Sequence, residues 1–121
     1  MKSITQSFLV EKKQTASSLG SGSLEVLATP AMVAFMENTA LKVIDDLDEG
    51  MTSVGTEINV KHLKASKTGE IVTCTAVLIR QEKRLYDFEI IITDSKGEIT
   101  GTATHRRVAI QVEKFLGKLN G

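Results

Sequence analysis

The most prominent pattern in the chain is an apolar segment from Val26 to Leu47. Thr29 and Pro30 are typical of a helix start, because a threonine oxygen can accept hydrogen bonds from free backbone N–H groups and proline has no N–H to leave unpaired. The following three turns have almost no polar face, which predicts a helix that is covered on all sides. Acidic residues and then Gly50 predict the end of this helix.

Beyond Gly50, apolar and polar residues alternate with the two-residue period of β-strands. The alternation and the turns between its segments predict four antiparallel strands, at residues 52–63, 71–80, 84–93 and 99–110. A first strand is predicted at 4–13 and a short amphipathic helix at 111–119, while residues 24–27 form a candidate short strand. The predicted fold class is therefore α+β, with one long helix packed against an antiparallel sheet of five to six strands.

Residues 14–23 form a Ser-, Thr- and Gly-rich segment that directly precedes the long helix. Such a composition indicates a flexible loop, which is either a mobile lid over a site or a plain connector.

The apolar surface of the predicted helix is wider than one sheet face can cover, and an open sheet has unpaired edges. Both surfaces would be covered if two copies paired, so we expect a homodimer or a dimer of dimers.

Composition narrows the classes of protein to which the chain can belong. Its 121 residues are enough for one domain, residues 1–121, and its 15 basic and 15 acidic residues favour neither a nucleic-acid groove nor an anionic membrane surface. The single cysteine, Cys74, lies in a predicted strand, where we expect a core residue. A lone cysteine, with no apolar segment of ~20 residues and no recognisable secretory signal, predicts a cytoplasmic protein.

Two side chains are the first candidates for chemistry. Glu37 is a lone carboxylate in the apolar helix, and burial of such a group is costly unless it is paired, hydrogen-bonded or used. His62 shares its alternation class with Val54 and Ile58, so it is expected to face the helix. Taken alone, His62 is more often a structural residue of a strand, and Thr29 is more often a helix cap.

The spacing of the candidates restricts how they can cooperate. Thr29 and Glu37 are eight positions apart, which corresponds to about 12 Å along a helix. They cannot share one hydrogen bond within a protomer, so either a long substrate lies along the helix or a partner protomer supplies one of them. The free N–H groups of a helix start are able to stabilise an oxyanion. On the last strand, residues 105–107 by themselves indicate a solvated charged edge.

Three motifs in register make the chain recognisable. They are Val26-Leu27-Ala28-Thr29 before the helix that holds Glu37, Val54-Gly55-Thr56 with Val60-Lys61-His62-Leu63, and Thr104-His105-Arg106-Arg107-Val108. With these motifs the chain resembles the fluoroacetyl-CoA thioesterase-like branch of the hotdog-fold acyl-CoA thioesterases, over about residues 5–112. The resemblance implies a hotdog fold, in which a curved antiparallel sheet wraps a long helix, and a dimer with active sites at its interface.

The resemblance also implies an activity, the hydrolysis of a small or medium acyl-CoA thioester to free acid and CoA. Coenzyme A would be part of the substrate, and no separate cofactor is expected. The residues that match the family's functional positions are Thr29, Glu37 and His62 for catalysis, and Gly55 and Arg107 for substrate binding, with Arg106 as the alternative to Arg107. No metal is expected, because one cysteine and two histidines at unrelated positions do not make a usual zinc site.

Two other functions remain open on the same scaffold. The first is a non-catalytic acyl-CoA binding or sensing protein, and the second is a hotdog dehydratase or hydratase. Relatives specialised for the fluorinated substrate carry an apolar, phenylalanine-bearing lid just before the helix. Here that region is Gly20-Ser21-Gly22-Ser23, without aromatic residues, which argues against fluoroacetyl-CoA as the physiological substrate.

Overall fold

The computed structural model describes residues 2–121, which form one antiparallel sheet and three helices. The strands lie in the order β1-β3-β4-β5-β2, with bounds β1 Ser3–Leu9, β2 Met51–His62, β3 Ile71–Glu82, β4 Leu85–Thr93 and β5 Ile99–Gln111. The helices are α1 Ala16–Leu19, α2 Thr29–Val43 and α3 Val112–Asn120, and a 3₁₀ turn spans Lys12–Gln14. The predicted fold class, one long helix on an antiparallel sheet of at least five strands, is confirmed. No helix in the described part of the chain is long and apolar enough to cross a membrane.

Helix α2 packs on one face of the sheet through residues spaced three and four apart. Its buried residues are Ala31, Met32, Phe35, Met36, Thr39, Ala40 and Val43. Phe35 stacks on Phe8 of β1 with ring centroids 4.3 Å apart. The prediction of a helix covered on all sides is wrong for the single chain, because one sheet covers one face of a helix. Ala34 and Leu41 remain exposed on the other face.

The helix ends at Val43, before the acidic residues and well before the predicted stop at Gly50, and Ile44 has an extended backbone. Aspartates at positions 45, 46 and 48 follow, and negative charge is unfavourable at the C-terminal end of a helix dipole. Asp45 instead pairs with Lys2, whose Nζ lies 2.5 Å from the Asp45 carboxylate. The acidic residues therefore belong to the connection to β2 and not to the helix.

The inner face of the sheet, toward α2, is apolar at the strands' alternating positions. Tyr86, Phe88, Ile90 and Ile92 on β4 are all buried, as their alternation predicts. Cys74 on β3 is fully buried, and burial raises the pKa of its thiol to about 11, so it is a neutral core residue as expected. At Gly101 on β5, an added Cβ would lie 2.5 Å from Met32 Sδ. A side chain at this position would therefore require Met32 to move.

Strand β2 contains a β-bulge that the sequence pattern did not reveal. Gly55 pairs with Arg107 and Glu57 with Arg106, which leaves Thr56 as an extra residue without a partner. Because an extra residue exchanges the two faces of a strand, Ser53 and Gly55 face α2 before the bulge, while Ile58 and His62 face it afterwards. The prediction that Val54 and Ile58 share one face is wrong for this reason, whereas His62 faces the helix as predicted.

The segment before α2 is more regular than its composition suggests. Its base is closed by backbone hydrogen bonds from Ala16 N to Val26 O, 2.8 Å, and from Ser17 N to Leu24 O, 3.0 Å. Gly20 ends α1 in the left-handed conformation, with φ of 75°. In place of the short strand predicted at 24–27, there are only isolated bridges at Val26 and Leu27. The exposed tip of this segment comprises residues 20–24.

Candidate active site

The first half of the candidate site lies at the start of α2. The helix begins at Thr29, as predicted, but Ala28 is the N-cap and no side chain caps the helix. The Thr29 hydroxyl instead lies 2.8 Å from His62 Nδ1, at the end of β2. The interpretation of Thr29 as a helix cap is therefore wrong, because its side chain is used in a contact between helix and strand. This contact places two of the three predicted catalytic residues together.

His62 has the properties of a group that can exchange a proton. Burial lowers the pKa of its imidazole below the ordinary histidine value, so the ring is neutral at pH 7. Its Nδ1 is engaged by Thr29, whereas the other ring nitrogen, Nε2, is buried and has no hydrogen-bond partner among residues 2–121. Buried polar groups in proteins are nearly always paired, so an unpaired ring nitrogen is a feature that a catalytic role would explain.

The second half of the candidate site surrounds Glu37, two turns further along α2. The side chain is half-buried and makes no hydrogen bond within residues 2–121. Its Oε2 lies over Gly55 of β2, so close that a Cβ added to Gly55 would be 2.9 Å from this oxygen and 3.1 Å from His105 Cε1. Gly55 was expected to make room for substrate. In the structure, Gly55 is exposed, and the position that a side chain would occupy borders the Glu37 carboxylate.

On the catalytic role that the resemblance implies for Glu37, we expect Gly55→Ala to lower kcat by about 10- to 100-fold while the protein remains folded, because the new methyl group would meet the carboxylate and displace it. The measurement is kcat for hydrolysis of an acyl-CoA, together with a thermal unfolding curve. Gly117→Ala is the matched control, since an added Cβ there meets nothing within 4 Å. Turnover unchanged in Gly55→Ala would show that the position of Glu37 does not matter.

Arg107 completes the second half of the site, and it is only 7% exposed. Its Nε donates to Ser53 Oγ at 2.8 Å, its Nη2 donates to the Ser53 carbonyl at 3.0 Å, and its Nη1 lies 3.2 Å from His105 Nε2. Burial lowers the pKa of the guanidinium, and the charge of Glu37 opposes this effect. Because arginine titrates far above neutral pH, the side chain remains a cation.

The prediction of a solvated charged edge at residues 105–107 is wrong. Strand β5 lies inside the sheet, between β4 and β2, and its odd-numbered residues face α2. His105 and Arg107 are therefore buried, and they alternate with Arg106, which lies on the outer face and pairs with Asp87 at 2.7 Å. Of the two candidate arginines, only Arg107 lies on the face of the sheet that Glu37 approaches, and both side chains border Gly55.

Ser53 and His105 are two residues of this cluster that sequence reasoning did not select. The sequence does contain an indication that His105 is buried. It lies with Arg107 at alternate positions between Ala103 and Ala109, and all of these face inward. No such signal exists for Ser53, because the bulge at Thr56 hides the face on which it lies.

Among residues 2–121, no three His, Cys, Asp or Glu side chains are grouped in a way that would hold a metal ion. The candidate site offers a carboxylate, an imidazole and a hydroxyl, which are groups of acid–base and nucleophilic chemistry. They lie in two places: Thr29 with His62 at the start of α2, and Glu37 with Gly55 and Arg107 two turns away. In a single chain, the candidate groups thus form two separate clusters, the Thr29 half-site and the Glu37 half-site of the candidate site.

The sequence model of a family described as fluoroacetyl-CoA-specific thioesterase matches residues 10–113 of the chain. The chain belongs to the fluoroacetyl-CoA-specific thioesterase family. A fluoroacetyl-CoA thioesterase from Streptantibioticus cattleyicolor is 38% identical over 96 residues, which cover 78% of this chain and 68% of that protein. The resemblance inferred from the three motifs is therefore confirmed.

Solved structures of the fluoroacetyl-CoA thioesterase FlK have the same fold. One is 32% identical with a TM-score of 0.91, over 98% of this chain and 92% of that one. A second, of a mutant in complex with fluoroacetate and CoA, is 32% identical with a TM-score of 0.87, over 93% of this chain and 95% of that one. These similarities confirm the predicted hotdog fold, and they confirm that the chain belongs to a family of thioester hydrolases.

Proposed function

We propose that the protein hydrolyses a small or medium acyl-CoA thioester to the free acid and CoA. The observation that carries this proposal is the hydrogen bond between Thr29 and His62 at the start of α2, in a chain of a thioesterase family. Helix starts have free backbone N–H groups, and such groups stabilise the oxyanion of acyl-transfer reactions. Coenzyme A is part of the substrate, and the proposed mechanism requires no separate cofactor.

The three side chains have complementary roles in this proposal. Glu37 is either the general base that removes a proton from water or the nucleophile that forms a transient anhydride. Attack on the thioester carbonyl gives a tetrahedral oxyanion, which the Thr29 hydroxyl and the backbone N–H groups of the first turn stabilise. When the C–S bond breaks, His62 passes a proton to the departing thiolate and takes up another in turn, from Glu37 if Glu37 has deprotonated water or from the solvent if Glu37 is the nucleophile, so the ring ends neutral. On the second route, water then hydrolyses the anhydride and restores Glu37. The products are a carboxylic acid and the free thiol of CoA.

We further propose that the enzyme is a homodimer or a dimer of dimers, with each active site assembled from two protomers. Three features of the single chain support this arrangement. The outer side of α2 exposes Ala34 and Leu41, strand β2 is at an edge of the sheet, and Glu37 is about 12 Å from Thr29 along the helix. Pairing of two chains would bring the Glu37 half-site of one protomer to the Thr29 half-site of the other.

The acyl group is proposed to be other than fluoroacetyl. The exposed tip of the loop before α2, residues 20–24, has no aromatic residue with which to cover a small substrate. Arg107 is proposed to act near the acyl group and Glu37. Its burial and its hydrogen bonds to Ser53 make it unsuited to bind the phosphates of CoA, which are exposed groups on a long and flexible substrate.

Thiol release tests the proposal, with a thiol-reactive dye and a panel of short, branched and aromatic acyl-CoAs. We expect turnover of at least one of these substrates, and the best one identifies the acyl length. Binding of acyl-CoA without thiol release from any substrate would favour the sensing protein. Conversion of 2-enoyl or 3-hydroxyacyl thioesters without thiol release would favour the dehydratase or hydratase.

A further inference from the structure

We propose that His105 and Ser53 are positioning residues, which hold the Arg107 guanidinium beside Gly55 and so fix a positive charge near the Glu37 carboxylate, on the other side of the same glycine. This inference rests on the proposed function, since it concerns the group that is proposed to act on water or on the thioester. Neither His105 nor Ser53 is expected to touch the substrate. Both act through Arg107.

Ser53 supports the guanidinium from one side with two acceptors. The hydroxyl accepts from Nε at 2.8 Å and the carbonyl of the same residue accepts from Nη2 at 3.0 Å. Two parallel hydrogen bonds from the fork of an arginine fix its plane as well as its position. Ser53 is itself 5% exposed, so water does not compete for these contacts.

His105 supports the guanidinium from the other side, and its own orientation is fixed. Its Nδ1 lies 2.8 Å from the carbonyl oxygen of Glu57, which can only accept, so Nδ1 carries the proton. Nε2 then has a free lone pair, toward which Arg107 Nη1 donates at 3.2 Å. Burial, with the nearby Arg107 charge, lowers the pKa of His105 and keeps the ring neutral. In a protonated ring, Nε2 would carry a proton too, and it could not accept the hydrogen bond from Arg107 Nη1.

Gly55 is the point at which this support reaches the candidate catalytic group. The position of an added Cβ lies 3.4 Å from Arg107 Nη1 and 2.9 Å from Glu37 Oε2, so the cation and the carboxylate flank the same glycine. A fixed cation attracts a nearby carboxylate and so restricts where it lies, and both a general base and a nucleophile must be held in place. The Ser53–Arg107–His105 cluster therefore fixes the position of the charge that faces Glu37 across Gly55.

The test compares two replacements of His105 that differ in the acceptor. His105→Leu removes the Nε2 lone pair, whereas His105→Gln restores an acceptor oxygen near its place. We expect His105→Leu to lower kcat by about 10- to 100-fold with little change in KM, and His105→Gln to recover most of this loss. Thr100→Val is the control, since it also removes a buried polar group from β5, but Thr100 bonds to the Ile92 carbonyl and not to the cluster.

Ser53→Ala provides a second variant if His105→Leu does not fold. It removes one acceptor and leaves the Ser53 carbonyl, so we expect a smaller fall in kcat, about several-fold, again at similar KM. Wild-type kcat in both His105→Leu and Ser53→Ala would overturn the proposal. An equal loss in His105→Leu, His105→Gln and Thr100→Val would also overturn it, because the effect would then be general destabilisation.

Nitrogen-15 NMR of the histidine side chains tests the inference without any turnover. We expect His105 in the wild-type protein to be neutral at pH 7, with its proton on Nδ1. Thiol release from no acyl-CoA, with this tautomer present, would count against the proposed function and leave the support of Arg107 in place. A protonated His105, or one with its proton on Nε2, would overturn the inference even in an active enzyme.

Discussion

Glu37→Gln is expected to lower kcat by about 10²- to 10⁴-fold, the range typical of the loss of a general acid or base. Glutamine keeps the shape of the side chain but cannot remove a proton from water or attack a carbonyl. The fold should tolerate the change, because Glu37 is half-buried and makes no hydrogen bond within residues 2–121. The measurement is kcat and KM by thiol release, with a thermal unfolding curve for each protein.

The control for this prediction is Glu89→Gln, which makes the same replacement at an exposed position of β4 on the outer face of the sheet. His62→Ala should lose turnover together with Glu37→Gln, since in the proposed mechanism the two residues act on the same intermediate. If Glu37→Gln kept wild-type kcat, the base or nucleophile would have to be another group, and the proposed mechanism would be wrong.

A mixture of Thr29→Ala and Glu37→Gln protein is expected to regain turnover that neither variant has alone. If each site takes Thr29 from one protomer and Glu37 from the other, a mixed dimer contains one site with both residues intact and one with neither. Random exchange of protomers makes about half of the dimers mixed, which corresponds to about a quarter of wild-type activity. Co-expression with two different affinity tags would isolate the mixed dimers for kcat measurement.

The matched control is a mixture of Thr29→Ala and His62→Ala. These two side chains are hydrogen-bonded within one chain, so they belong to the same half-site and their mixed dimers contain no intact site. We therefore expect recovery in the first mixture and none in the second. Inactivity of both mixtures, with mixed dimers present, would mean that Glu37 and Thr29 of a single chain serve the same site.

Local patterns in the sequence were sufficient to predict the order of the elements. The helix start at Thr29, the inward face of β4 and the turn after β4 all follow from residues close together in the chain. The end of α2 was less predictable, because the stretch between Val43 and Gly50 contains no proline or glycine that would stop a helix. There, the unfavourable helix dipole and the pairing of Asp45 with Lys2 decide the boundary.

The residues of the candidate site could be predicted where they belong to the family's motifs. They could not be predicted where their burial depends on the position of a strand within the sheet. Thr29 and His62 are 33 positions apart, and only the resemblance to a family linked them before the fold brought them within 2.8 Å. His105 and Arg107 were interpreted as exposed because charged residues usually are. Their burial depends on the place of β5 inside the sheet and on acceptors supplied by Ser53, which are long-range facts.

Because of the bulge at Thr56, the number of residues in strand β2 decides which of its side chains face the helix. Up to Gly55, the odd-numbered residues face α2, whereas from Ile58 to His62 the even-numbered residues do. Deletion of one residue from this stretch would remove the bulge and restore one continuous alternation. Either Gly55 or His62 would then face away from the helix. The length of the stretch is thus a stricter requirement than the identity of its outward residues, and variant libraries of this strand should substitute residues without adding or removing any.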